Sequence, residues 1–177
     1  MAKFKNEVQR NDQHDINRVA EYLWYAITIC PSKDSIKRDI QYWADKHVYK
    51  KENISVNAYN IIKTNFPKYI LENGDVKWNF KFVNKSSNRI PLHKEHIIPN
   101  EFIYQKLVDE FNNKDLYNKK DEGVKFIKEL LNIHFCGLIT NDECKILDSK
   151  FKSTMPNGWK ITDDPKVRLT AVGIKMM

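Results

Sequence analysis

A chain of 177 residues, 41% hydrophobic and 12% aromatic, holds enough material for one ordinary core but not for two large independent domains. No apolar run approaches the roughly 18 residues that a membrane-spanning helix needs. The formal charge of +7, from 30 basic and 23 acidic side chains, leans toward a polyanionic partner through phosphate contacts.

Residues 1–14 are polar and expected to be loosely held; with no apolar h-region before residue 15, no secretion signal is read there. The three cysteines, Cys30, Cys136 and Cys144, form no C-x-x-C pair, which fits reduced thiols and a cytoplasmic location and argues against a zinc ribbon. From Asp15, the residues Ile16, Val19, Ala20, Leu23 and Ile27 recur at helical spacing until Pro31. A second stripe, Ile36, Ile40, Trp43 and His47, completes a helical hairpin. Its lysines read as a solvated face ahead of phosphate contacts, since no recognition signature accompanies them. A third helix is expected between Ile54 and Leu71, breaking near Pro67.

Asn73-Gly74-Asp75 signals a turn, after which Val76, Trp78, Phe80 and Phe82 alternate with polar residues. Period two predicts a strand over residues 76–83. Residues 85–88 read as a turn, and 89–98 as an extended return. Helices are expected from Pro99-Asn100 through Phe111, and again through Val124, Ile127, Leu130, Leu131 and His134. Residues 135–139 suit a short buried strand. Thr140-Asn141-Asp142-Glu143 has the form of a capping box that starts a helix bearing Cys144, Leu147 and Phe151. An extended segment is expected over 167–174. The fold class is therefore α+β: a helical lobe over residues 1–72, then a strand-and-helix module over 73–177 with inserted helices at 100–133.

Chemistry concentrates in Leu92-His93-Lys94-Glu95-His96-Ile97-Ile98-Pro99. An imidazole can act as a base near neutral pH, and a carboxylate beside it can hold a divalent ion. In a short basic protein that pairing points first to phosphodiester chemistry. His93, three residues before His96, reads as a phosphate or metal contact. His134, on an apolar helical face, reads as a satisfied core histidine.

The motif Glu95-His96-Ile97-Ile98-Pro99 resembles the first motif of the HNH nucleases, also called the ββα-metal or His-Me finger family. Gly137 to Asp148 resembles their closing strand and metal-ligand helix. The resemblance covers residues 76–152 and implies a ββα-metal module. It implies His96 as general base, Glu95 as ligand to a single Mg2+ or Mn2+, and a further ligand on the helix. Where the family has His or Asn, this chain has Cys144 and Asp148, spaced i,i+4. A hard cation prefers oxygen, which favours Asp148. The family's middle asparagine has no plain counterpart here; Asn132 and His134 stand nearest.

Lys145, Lys152 and Arg168 read as contacts to the nucleic-acid backbone, with a solvated basic face as the alternative. The expectation is a metal-dependent DNA endonuclease, with homodimer formation left open. The competing expectation is a non-catalytic module that binds nucleic acid, or inhibits a protein, on a degenerate fold of this type.

Overall fold

The computed structural model describes residues 12–29, 32–45, 49–77 and 90–177. The first stripe is helix α1, Asp12–Ile29, and the second is α2, Lys33–Ala44. Their buried residues Leu23, Ile27, Ile40 and Trp43 lie in one cluster with Ile103, Leu107, Phe111, Ile127 and Leu130. The latter residues belong to α4, Asn100–Asn113, and α5, Lys120–Ile133, the helices expected as an insertion. Two indoles are satisfied across this contact, the partly buried Trp24 donating through Nε1 to the Leu116 carbonyl at 3.0 Å and the buried Trp43 through Nε1 to the Leu131 carbonyl at 2.7 Å. Residues on either side of the expected 72/73 boundary thus share a single core.

Helix α3, Val56–Asn65, starts where the Ser55 hydroxyl accepts from the Ala58 N–H, and it stops two residues before Pro67, as the proline dictates. Ala58 and Ile62 pack with Ile54, Leu92 and Leu138 in a second cluster.

Strand β1, Leu92–His96, pairs antiparallel with β2, Cys136–Thr140, placing Glu95 opposite Gly137 and His96 opposite Cys136. These two strands form the sheet among the described residues. Most of the strand expected over 76–83, the turn at 85–88, His47 and Cys30 lie outside the described residues. Val76 itself forms a bridge with Ile70.

Gly137 has no Cβ for a visible reason: one built there would stand 2.6 Å from the Asn53 carbonyl oxygen and 3.0 Å from Ile97 Cδ1. The chain at Ser55 is held over β2 by its N–H donating to the Leu138 carbonyl at 2.8 Å, so the backbone cannot retreat cheaply. Gly137→Ala is expected to destabilise the protein by roughly 1–3 kcal/mol, the range for overpacking. Urea unfolding reads this directly, and an unchanged midpoint would contradict it.

β2 runs without a loop into α6, Asn141–Phe151. The capping box expected at Thr140 is present: the Thr140 hydroxyl accepts from the Glu143 N–H, and the Glu143 carboxylate accepts from the Thr140 N–H at 2.8 Å. That buried carboxylate also accepts from Ser55 Oγ at 2.6 Å and from Asn57 Nδ2 at 3.0 Å. The starts of α3 and α6 are therefore tied through one side chain.

The extended segment expected over 167–174 is instead a helical turn, α7, Val167–Thr170, followed by a turn in which Gly173 takes a φ of 80°. Asp164 Oδ1 accepts from the Lys166 N–H just ahead of the turn, and Leu169 and Ile174 fold inward beside Ile97, Ile139 and Leu147. Four apolar residues at near-alternate positions fit either reading, and packing against α6 and β1 selects the turn.

The architecture is mixed helix and strand. No helix among the described residues is long and apolar enough to cross a membrane.

Candidate functional site

β1 carries the histidine motif, and the alternation of a strand divides its side chains between two faces. His93 and Glu95 meet residues of α6 and α7. Lys94 and His96 meet the end of α2 and the start of α4. The aliphatics that follow anchor both sides: Ile97 packs with Leu147 and Leu169, while Ile98 packs into the helical core.

On the α6 face, ligand atoms of His93, Glu95 and Cys144 all lie within 4.8 Å of one another. His93 Nε2 is 3.4 Å from Glu95 Oε2, and the Glu95 hydrogen bond raises the His93 pKa above the ordinary imidazole value. Asp148, exposed one turn along α6, has its carboxylate 3.9 Å from Cys144 Sγ. Burial and then Asp148 push the Cys144 thiol up to about 11, so it is protonated at neutral pH. Of the two helix positions, Asp148 therefore offers the better hard donor.

Behind this cluster sits Arg168, fully buried. Its guanidinium pairs with Glu95 and donates to the carbonyls of His96 at 2.6 Å, Ile97 at 3.0 Å and Phe151 at 2.6 Å. Arg168 was expected to contact phosphate. It is instead an internal clamp that joins β1 to the C-terminal end of α6, because a guanidinium with every neighbour a carbonyl or carboxylate stays where its donors are satisfied.

On the opposite face, hydrogen bonds run through five side chains. His134 Nε2 is 2.8 Å from Asn100 Oδ1, Asn100 Nδ2 is 3.3 Å from His96 Nε2, His96 Nδ1 is 3.2 Å from Cys136 Sγ, and Cys136 Sγ is 3.3 Å from Asp45 Oδ1. Lys94 Nζ closes the chain at 2.7 Å from both Asp45 oxygens. The one assignment that satisfies each link has His134 donating to Asn100, Asn100 to His96, His96 to the sulfur and the thiol to the carboxylate. It leaves only the His134 Nδ1 lone pair without a partner, which is cheaper than burying an orphaned N–H. The His96 and His134 rings also stack, 5.7 Å apart at 11°.

Burial lowers the pKa of His96, despite the nearby Asp45, and drives that of His134 down to about 3. Burial likewise raises the Cys136 thiol above its ordinary value. An unfolded histidine titrates near 6.5, so between that pH and about 3 the unfolded chain binds a proton that native His134 refuses. Stability is accordingly lost as pH falls below 6.5, by up to about 1.4 kcal/mol per pH unit for each such histidine. Urea midpoints from pH 7.5 to pH 5 are expected to decline, with a shallower decline in His134→Gln. Equal slopes in the two proteins would contradict the assignment.

Of the sequence-derived site residues, Glu95, Cys144 and His93 converge, with Asp148 beside them. His96 and His134 come together on the other face. Lys145 is exposed and paired with Asp142 at 2.8 Å, and Lys152 is exposed at the end of α6. Three neighbours of His96 were not anticipated. Cys136 is its cross-strand neighbour, found once the register is known; Asn100 follows it by four residues at the start of α4; and Asp45 arrives from α2 with no local signal. Comparison with known proteins finds no matching family model, no matching curated protein and no matching solved structure.

Proposed function

We propose that this protein is a metal-dependent endonuclease that hydrolyses phosphodiester bonds in DNA. The observation that carries the reading is the convergence of His93 and Glu95 from β1 with Cys144 from α6 on a strand–strand–helix unit. Glu95, Asp148 and His93 would hold Mg2+ or Mn2+, and such an ion polarises a phosphoryl oxygen and acidifies water. With Arg168 neutralising Glu95, the loaded centre would carry net positive charge and favour a phosphate as its remaining ligand.

His96 is the proposed base. Its burial keeps the imidazole neutral at physiological pH, while Asn100 Nδ2, at 3.3 Å, leaves the Nε2 lone pair loosely held. His93, tied to Glu95, is the more readily protonated of the two and serves better as a ligand. His96 leaves β1 on the face away from Glu95, so the roles of the two histidines need separate variants.

The full chain is expected to nick supercoiled plasmid with Mg2+ or Mn2+ and to stop when a chelator is added. A protein inert toward duplex DNA, single-stranded DNA and RNA with both ions overturns the reading. Because Arg168 already compensates Glu95, a non-catalytic DNA-binding role is the rival. It predicts salt-sensitive binding without cleavage, indifferent to chelator and to His96→Ala.

A further inference from the structure

The cluster on the other face of β1 is a second donor set of different chemistry. Ligand atoms of Asp45, His96 and Cys136 lie within 4.8 Å of one another. They come from three separate elements, the end of α2, β1 and β2. A sulfur, an imidazole nitrogen and one carboxylate oxygen are the donors of a tetrahedral zinc-type site with its fourth position open.

We propose that Asp45, His96 and Cys136 form a site for a thiophilic divalent ion, with zinc as the natural occupant, distinct from the Mg2+ or Mn2+ position beside Glu95. Charge distinguishes the two. A carboxylate and a thiolate together cancel a divalent cation, leaving a neutral centre in a largely buried place. Beside Glu95, the fixed charge of Arg168 opposes the same cation. Lys94, which now occupies the Asp45 carboxylate, is part-exposed and can turn to solvent. Asn100 stands at the far nitrogen of the His96 ring, where its amide, once flipped, would accept the ring N–H as the outer partner of a ligating imidazole does.

Binding releases the Cys136 thiol proton to solvent and moves the His96 proton from Nδ1 to Nε2. The Asn100 amide flips so that its Oδ1 accepts that proton, and the His134 proton shifts from Nε2 to Nδ1, where it lacks an acceptor, so that His134 Nε2 accepts from Asn100 Nδ2. The ion then coordinates Cys136 Sγ, His96 Nδ1 and an Asp45 oxygen. An ion so placed removes His96 from use as a base. If the hydrolytic reading above is correct, zinc therefore opposes cleavage, although its binding does not depend on that reading.

Titration of the full chain with Co2+, followed by its near-ultraviolet thiolate-to-cobalt charge-transfer band, tests the site without any nuclease assay. The wild-type protein should develop the band, Cys144→Ser should keep it, and Cys136→Ser should lose it. Since Cys136 is buried, a partly exposed ligand supplies the second variant: Asp45→Asn should raise the Co2+ concentration at half-saturation by at least about tenfold. Absence of a thiolate band in the wild type, its persistence in Cys136→Ser, its loss in Cys144→Ser, or an unaltered Asp45→Asn titration would each overturn the proposal.

Discussion

His96→Ala is expected to lower DNA cleavage by roughly 10²–10⁴-fold at saturating Mn2+, the usual contribution of a positioned base. The expectation rests on protonation state. At neutral pH the imidazole that is free to accept a proton is His96, because burial lowers its pKa, whereas the Glu95 hydrogen bond raises that of His93. The wild-type rate should then hold as pH falls past 6.5 and decline only as His96 is protonated below it. His93→Ala should raise the Mn2+ requirement and leave that acid limb in place. If His96→Ala cleaves at the wild-type rate while His93→Ala abolishes the limb, the base is His93 and the assignment made from the motif is wrong.

The largest stability effect is expected at Arg168. Arg168→Ala removes a cation with no exposed surface and strands Glu95, together with the carbonyls of His96, Ile97 and Phe151. Breaking a buried pair from one side costs about 3–5 kcal/mol, and the part-buried Glu95 would keep only His93 as a charged partner. Arg168→Lys should recover only part of this, since an ammonium cannot reach the same acceptors in a planar fork. Urea unfolding of both variants measures the difference. A loss under about 1 kcal/mol in Arg168→Ala would mean that the clamp does not hold β1 to α6.

What could be read from the sequence was what depends on neighbours in the chain. The stripes at Ile16 and Ile36, the break before Pro67, the short strand expected over 135–139 and the capping box at Thr140 are local patterns, and each stands in the structure, the strand shifted by one residue to Cys136–Thr140. Glu95 and Cys144 lie together, although the sequence favoured Asp148 as the helix ligand; Cys144 also packs with Leu147 and Phe151, as its place on the apolar stripe suggests. The errors came where tertiary packing decides. Arg168 looked like a surface cation because nothing within its own segment shows that four acceptors from β1 and α6 surround it. The segment 167–174 looked extended because alternation over so few residues cannot exclude a turn. The neighbours of His96 were invisible for a similar reason: Cys136 requires the register, and Asp45 requires the docking of α2. Glu143 was legible as a cap, but its second task of holding Ser55 and Asn57 depends on α3 arriving from far along the chain.

The central claim is that an ion held between β1 and α6 drives phosphodiester hydrolysis. Its most direct test is the Mn2+ dependence of plasmid nicking by the wild type and by Asp148→Asn, an exposed position whose change leaves the core intact. The prediction is cleavage by both proteins, with half-saturation in Asp148→Asn moved to at least about tenfold higher Mn2+. Superimposable curves would contradict the claim, as would the absence of Mn2+-dependent nicking in the wild type.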